Sequence, residues 1–185
     1  MRIIRLYNAL YILMFLVIAI SGLNCRYIKK DTGYWVSYTD EATDRQGYKN
    51  QDGKVVISPG KYSYCFTDTF KIFAIVASPD SGLIAIDRQE NILYNVFLFD
   101  NGPDYPADGL FRILAHHKIG YADASTGNIV IRPQYDCAYP FEDGVAKVGI
   151  GCVTVPDGEH SRWTGGNWFY IDKKGERITD KIQLN

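Results

Sequence analysis

A pattern that recurs four times constrains the fold of this chain more than any other feature. Each copy has apolar or aromatic residues, an Asp or Asn, a short polar stretch and then apolar β-formers; the copies are 47–57, 84–93, 120–131 and 169–178. The Asp or Asn positions are Asn50, Asp87, Asp123 and Asp172, at spacings of 37, 36 and 49 residues. A recurring period of this length is typical of proteins built from stacked repeats.

One copy of the pattern has the properties of a β-hairpin. Tyr121 and Asp123 alternate as in a strand with one buried face. The Asp side chain suits a tight turn, and Gly127 supplies the positive φ that such a turn requires. The apolar residues 129–131 predict the next strand. Because a unit this small cannot bury its own apolar face, we expect successive units to stack.

These features predict an all-β fold, in which short antiparallel hairpins or three-stranded meanders form an open or curled repeat array. A propeller-like closure is the alternative, but a propeller blade needs four strands and usually a longer period. We predict a repeat domain over 47–185, and we assign 26–46 to a linker or cap. The units are 47–83, 84–119, 120–166 with an insertion at 149–166, and a partial unit at 167–185.

Two segments carry a resemblance to a known family: KIGYADASTGNIVIRPQYDCAYPFEDGVAKV at 118–148 and GNWFYIDKKGERI at 166–178. They resemble WG repeats, which are named for a Trp-Gly near the start of each unit. This chain has no Trp-Gly dipeptide, since Gly120 keeps only the Gly and Trp168 only the Trp. The resemblance implies a β-rich repeat scaffold, common in bacteria, with no established activity of its own.

The N-terminal residues predict export. Arg2 and Arg5 precede an apolar run over 10–20, which is the pattern of a secretory signal helix. Cys25 follows this run, where bacterial lipoproteins carry the cysteine that is acylated, so we predict a lipoprotein leader over 1–25 with Cys25 as the lipidation site. A secreted protein, cleaved after Ser21, and a single-span N-terminal anchor are the alternatives.

Charge and cysteine content limit the partners of the mature chain. Removal of 1–25 leaves 18 basic and 21 acidic side chains, a formal charge of −3, which provides no electrostatic footprint for nucleic acid. Cys65, Cys137 and Cys152 remain. In an oxidising compartment Cys137 and Cys152, the nearest in sequence, are the candidate disulfide; the alternative is three buried thiols.

Acidic and histidine residues offer weak metal-site candidates. Asp100, Asp104 and Asp108 could surround a calcium ion, but Asp, Asn, Gly and Pro are also the residues of tight turns, and we favour turns. His116 and His117 are adjacent, and adjacent side chains of a strand point to opposite faces. We therefore predict no transition-metal site and no cofactor.

The insertion at 149–166 is the candidate recognition element. It brings Arg162 and Trp163 close in sequence to Trp168, and these residue types often anchor interfaces. A polar loop without a binding role is the alternative.

Catalytic motifs are absent from the sequence or weak. Cys152 with His160 only weakly suggests a thiol nucleophile, and the chain contains no nucleophile elbow, P-loop or zinc-protease motif.

The sequence favours a non-catalytic, envelope-associated β-repeat protein that binds or scaffolds a protein or envelope partner. The membrane contact would come from the N-terminal lipid or leader. A module that binds a small ligand, a carbohydrate or calcium is the alternative, and a periplasmic enzyme is a third, disfavoured hypothesis.

Overall fold

The computed structural model describes residues 33–178. The leader 1–25 with Cys25, its predicted signal helix and the first part of 26–46 lie outside this range. Within the described residues the chain folds into strands, turns and connecting segments only, which confirms the all-β prediction. No helix in this part of the chain is long and apolar enough to cross a membrane.

Sixteen strands follow one another along the described chain. They are β1 (Trp35–Asp40), β2 (Arg45–Lys49), β3 (Val55–Ile57), β4 (Tyr64–Cys65), β5 (Thr69–Phe70), β6 (Phe73–Ser78), β7 (Gly82–Asp87), β8 (Ile92–Val96), β9 (Leu98–Phe99), β10 (Gly102–Pro103), β11 (Leu110–Ala115), β12 (Lys118–Asp123), β13 (Ile129–Tyr135), β14 (Cys137–Ala138), β15 (Val145–Asp157) and β16 (His160–Asp172).

The long strands form four successive antiparallel meanders. The first three are β1–β2–β3, β6–β7–β8 and β11–β12–β13. In the fourth, β15 pairs with β16, and a bridge between Ile171 and Arg177 stands in for the third strand. The predicted three-stranded unit is therefore present in the structure.

These meanders lie in three of the four sheets that the described strands form. The strand orders are β3-β2-β1-β5, β13-β12-β11-β8-β7-β6-β4, β14-β15-β16, and the pair β10-β9. Meanders two and three share the seven-stranded sheet because β8 pairs with β11 at Val96 and Ile113. All of these sheets are antiparallel, and none of them closes into a barrel.

The start of each unit differs from the sequence-based boundaries. The predicted boundaries at 84, 120 and 167 fall inside β7, β12 and β16, the central strands of their meanders or hairpin. Likewise β1 lies within 26–46, which we assigned to a linker or cap, and it pairs with β2 as part of the first meander. A periodic sequence does not show where one unit ends and the next begins. In the structure, each central strand pairs with the strand before it and the strand after it, and these three strands define the unit.

A turn capped by Asp or Asn follows the second strand of every meander, and the turn after β12 is one residue longer than the other three. In each, the Oδ1 atom of Asn50, Asp87, Asp123 or Asp172 accepts two backbone N–H groups. A residue with positive φ closes the turn: Gly53, Glu90, Gly127 or Gly175. This is the Asp-capped, glycine-assisted turn that the repeat pattern predicts, and only Glu90 adopts the left-handed conformation with a side chain.

Asp123 has a pH-dependent role in its turn. Hydrogen bonds from the hydroxyls and backbone of Ser125 and Thr126 lower the pKa of its carboxyl from 3.8 to about 2. Because the folded-state pKa lies below the ordinary value, the stabilisation is complete above pH 3.8 and is lost as the pH falls through about 2. We expect the melting temperature of Asp123→Asn to fall less than that of the wild type as the pH is lowered from 3.8 to about 2. Thermal melts of both proteins at a series of pH values measure this difference.

Asn in place of Asp123 keeps an Oδ1 acceptor, as Asn50 does in the first turn, and removes the negative charge together with its titration. Asp80→Asn, at an exposed aspartate outside the four turns, is the matched control. Parallel profiles for the wild type and Asp123→Asn would contradict the assignment.

The apolar core consists of three clusters, and each belongs to two successive meanders. Trp35, Tyr48 and Ile57 of the first meander pack with residues of the second such as Val76 and Ile86. A second cluster joins meanders two and three, and a third joins meanders three and four. Stacking of neighbouring units therefore buries the faces that a single unit leaves exposed.

Meanders one and three share a packing motif around a buried tyrosine. The hydroxyl of Tyr48 donates to the Thr67 carbonyl at 2.7 Å, and that of Tyr121 donates to the Tyr139 carbonyl at 2.6 Å. Burial raises the pKa of both phenols. Phe70 and Phe141 meet these tyrosines edge to face.

A glycine precedes each of these tyrosines because the next strand passes too close for a side chain. A Cβ on Gly47 would lie 2.5 Å from the Ile57 carbonyl oxygen, and one on Gly120 would lie 2.4 Å from that of Ile131. Both contacts are with backbone atoms, which cannot rotate away. The glycine of the repeat therefore permits the close approach of the second and third strands.

Candidate functional site

The insertion at 149–166 is part of a long hairpin. β15 and β16 have 13 residues each and pair from Val145 and Asp172 to Asp157 and His160. β14 pairs with β15 only at Val148 and Gly149. Beyond this point the segments 150–157 and 160–167, which we call the terminal hairpin, pair with each other and with no other described strand.

A disulfide and a polar network fix the base of the terminal hairpin. Cys137 on β14 and Cys152 on β15 are joined, with their Cα atoms 6.3 Å apart. Nearby, Asp136 accepts the Gly151 N–H at 2.7 Å and bonds to the Lys118 ammonium. The hydrogen bond from the Gly151 N–H, and to a smaller extent the one from the Lys118 ammonium, lower the pKa of the Asp136 carboxyl. The hairpin is therefore held in a set orientation where it leaves the sheet.

An aromatic surface, defined by Tyr139, Trp163 and Trp168, lies where the terminal hairpin meets β14. Ring centroids are 5.1 Å apart for Tyr139 and Trp163, 5.8 Å for Tyr139 and Trp168, and 6.3 Å for the two tryptophans. Tyr139 is 44 % exposed, and both tryptophans are partly exposed. Three large side chains thus share one solvent-accessible area.

Contacts beneath and beside this surface hold its rings in place. Phe97 packs against Trp163 from the core side, at 6.3 Å between centroids. The indole N–H of Trp168 donates to the Gly165 carbonyl at 2.8 Å, and the Lys147 ammonium lies 5.3 Å from the Trp168 ring. Rings fixed in this way lose little conformational entropy when a partner binds.

The structure brings together only two of the three predicted recognition residues. Trp163 and Trp168 are neighbours, whereas Arg162 faces Asp157 near the tip, with 3.7 Å between Nε and Oδ2. That exposed pair contributes little energy. Tyr139 and Phe97 are additional members of the site that sequence reasoning missed, because their approach to Trp163 depends on pairings between distant segments.

The calcium candidates do not converge. Asp104 is buried and forms an ion pair with Arg112, while Asp108 accepts the Gly144 N–H at 2.6 Å in another contact. Asp100 lies in the exposed turn between β9 and β10. Among residues 33–178, no group of three or more His, Cys, Asp or Glu side chains could hold a metal ion. Asp100, Asp104 and Asp108 therefore serve the fold at three separate places and do not form one site.

The histidines and the free thiol also occupy structural positions. His116 and His117, both at positive φ, form the two-residue turn between β11 and β12, and His160 lies at the tip of the terminal hairpin. Cys65 is a buried free cysteine, and burial raises the pKa of its thiol. Because Cys152 is in a disulfide, it offers no thiol to His160.

The Gly–Tyr motif of meanders one and three lies in the two segments of the chain that match a known family. The family model described as WG containing repeat matches residues 47–68 and 119–151. The chain contains WG repeats. Gly47 and Gly120 lie in the two matched segments, where they allow the close strand approach.

The unmatched parts of this WG-repeat chain carry Ile84 and Phe169 where the matched segments have the glycine. Their turns and strands nevertheless follow the same plan. No curated protein and no solved structure matches the chain.

Proposed function

We propose that this WG-repeat chain is a non-catalytic binding module that presents the aromatic surface to a protein partner at the bacterial cell envelope. The observation that carries the proposal is the cluster of three accessible aromatic rings where β14 meets a hairpin whose base a disulfide fixes. Tyrosine and tryptophan are the residues that most often dominate the energy of protein interfaces. Their large area and few rotatable bonds make them effective anchors.

The location follows from the leader. Arg2, Arg5, the apolar run over 10–20 and Cys25 support an exported lipoprotein, and a disulfide is consistent with an oxidising compartment. Two acyl chains on Cys25 would hold the module stably at a membrane surface. The repeat body would then act as a scaffold between that surface and its partner.

The test is capture of an envelope protein by the full chain in its source cells. We expect Tyr139→Ala and Trp168→Ala each to weaken binding of the captured partner about thirtyfold or more, because hot-spot truncations cost at least about 2 kcal/mol. Tyr64→Ala is the matched control, since Tyr64 is 50 % exposed and lies outside the aromatic surface. Chemical crosslinking followed by quantitative mass spectrometry measures the capture.

One further variant belongs to the same experiment. Cys25→Ser is expected to move the protein out of the membrane fraction, which tests the anchor separately from the binding surface. Equal capture by the wild type, Tyr139→Ala and Tyr64→Ala, or no captured protein at all, would contradict the assignment of the aromatic surface.

A further inference from the structure

A cleft on another part of the molecule lies beside the short hairpin of β9 and β10. Its volume is about 770 Å³, and its lining includes Phe66, Phe73, Phe111 and Tyr105. A second cavity of about 690 Å³ shares Phe66 and Asn101 with the first. None of the residues that line the cleft belongs to the aromatic surface, so this inference does not depend on the proposed function.

The cleft is formed before any ligand arrives. The Asp104 carboxylate accepts the Arg112 backbone N–H at 2.8 Å and the guanidinium Nε–H at 3.0 Å. The Asp104 N–H donates to the Phe97 carbonyl at 2.9 Å, which ties the end of the β9–β10 hairpin back to its start. A concave site of this size with mainly apolar walls and a fixed shape has the properties of a small-ligand site.

The charges that line the cleft restrict its ligand. Its charged side chains are Lys71, Asp100 and Asp104, and Asp104 is already paired with Arg112. Lys71 and Asp100 are both exposed and have opposite charge. A fatty acid or another simple anion would meet repulsion from Asp100, and a simple cation would meet repulsion from Lys71.

We infer that this cleft binds a short apolar peptide in its zwitterionic form. The carboxylate of the peptide would pair with Lys71 and its ammonium group with Asp100. Its apolar side chains would lie against Phe73, Phe111 and Tyr105, and the 72 % exposure of Tyr105 leaves that ring available to a ligand. The hydroxyl of Thr69 is a hydrogen-bonding group of the lining for the peptide unit.

Calorimetric titration of the purified full chain with the dipeptide Leu-Phe tests this inference. N-acetylation removes the ammonium group and C-amidation removes the carboxylate, and we expect each to weaken binding about threefold, as for an exposed ion pair. Gly-Gly, which keeps both charges but lacks apolar side chains, is expected to bind more than about tenfold more weakly.

Variants of the protein connect each charge to its partner. Asp100→Asn is expected to weaken Leu-Phe about threefold and to leave the affinity for the acetylated peptide unchanged. Lys71→Met is expected to weaken Leu-Phe about threefold and to leave the affinity for the amidated peptide unchanged. Lys174→Met and Asp80→Asn, at exposed positions outside the cleft, are the matched controls.

Three results would overturn the inference. The first is equal affinity of the free and blocked peptides, the second is equal affinity of Gly-Gly and Leu-Phe, and the third is no binding of Leu-Phe up to about 10 mM. The blocked peptides test the charges without altering the fold, so an unstable variant would not leave the question open.

Discussion

Replacement of Arg112 by methionine is expected to lower the free energy of unfolding by about 3–5 kcal/mol, because it leaves the buried Asp104 carboxylate without its counter-charge. The Arg112 guanidinium bonds both carboxylate oxygens of Asp104 and donates to the Ala138 carbonyl at 3.1 Å. It also lies 4.1 Å from the centre of the Phe97 ring. Both residues of the pair are at most 4 % exposed.

Urea unfolding of the wild type and a set of variants measures this effect. Arg132→Met, at an exposed arginine, is the control and is expected to change stability by no more than about 0.5 kcal/mol. In Asp104→Asn/Arg112→Met no buried charge lacks a partner, and the Asn side chain can still accept the backbone N–H of residue 112. We therefore expect the double variant to lose less than the sum of the single variants. Equal losses for Arg112→Met and Arg132→Met would refute the role of the pair.

Removal of the Cys137–Cys152 disulfide is expected to lower the free energy of unfolding by about 3 kcal/mol. The two cysteines are 15 residues apart, and closure of a loop of this length restricts the unfolded chain by about that amount. The double variant Cys137→Ala/Cys152→Ala should therefore unfold at a lower urea concentration than the oxidised wild type.

Reductant provides the internal control. Dithiothreitol should destabilise the wild type and leave the double variant unchanged, because Cys65 is a free cysteine in both. Hydrogen exchange should also increase first at 150–167, since the disulfide fixes the base of the terminal hairpin. A wild type whose urea midpoint does not respond to the reductant would contradict this expectation.

The sequence predicted the repeat because its signal is local. Asp172 and Gly175, for example, are three residues apart, and together they specify one turn whatever the rest of the chain does. The third strand of a unit follows from the apolar residues after that turn. Fold class, the turns and the stacking of units could therefore be predicted from pattern and spacing.

The terminal hairpin was harder to predict because polar, turn-forming residues lie at its centre. Pro156, Asp157, Gly158 and Glu159 suggested a polar loop as the alternative to a recognition element, whereas β15 and β16 pair in one register on both sides of this turn. The sequence 153–155, Val-Thr-Val, followed by Asp157-Gly158, is nevertheless a hairpin signal.

The long-range contacts of both sites could not be predicted from one sequence. Tyr139 approaches Trp163 only because β14 and β16 pair on either side of β15. Asp104 appears in the sequence as one of several turn-forming acids, and its burial depends on the position of Arg112 in the folded sheet. Side chains that meet across strands acquire their environment from pairing, which local patterns do not specify.

The division of the core into three shared clusters has a consequence for how such chains lengthen. The buried residues of each cluster come from two consecutive meanders and the segments that follow them, so most contacts within one pair do not depend on how many meanders precede or follow it. Duplication of a whole meander would copy a complete interface and disturb no other. A gene for such a protein can therefore gain or lose units in steps of about 36 residues, and selection can change the reach of the molecule without redesigning its interior.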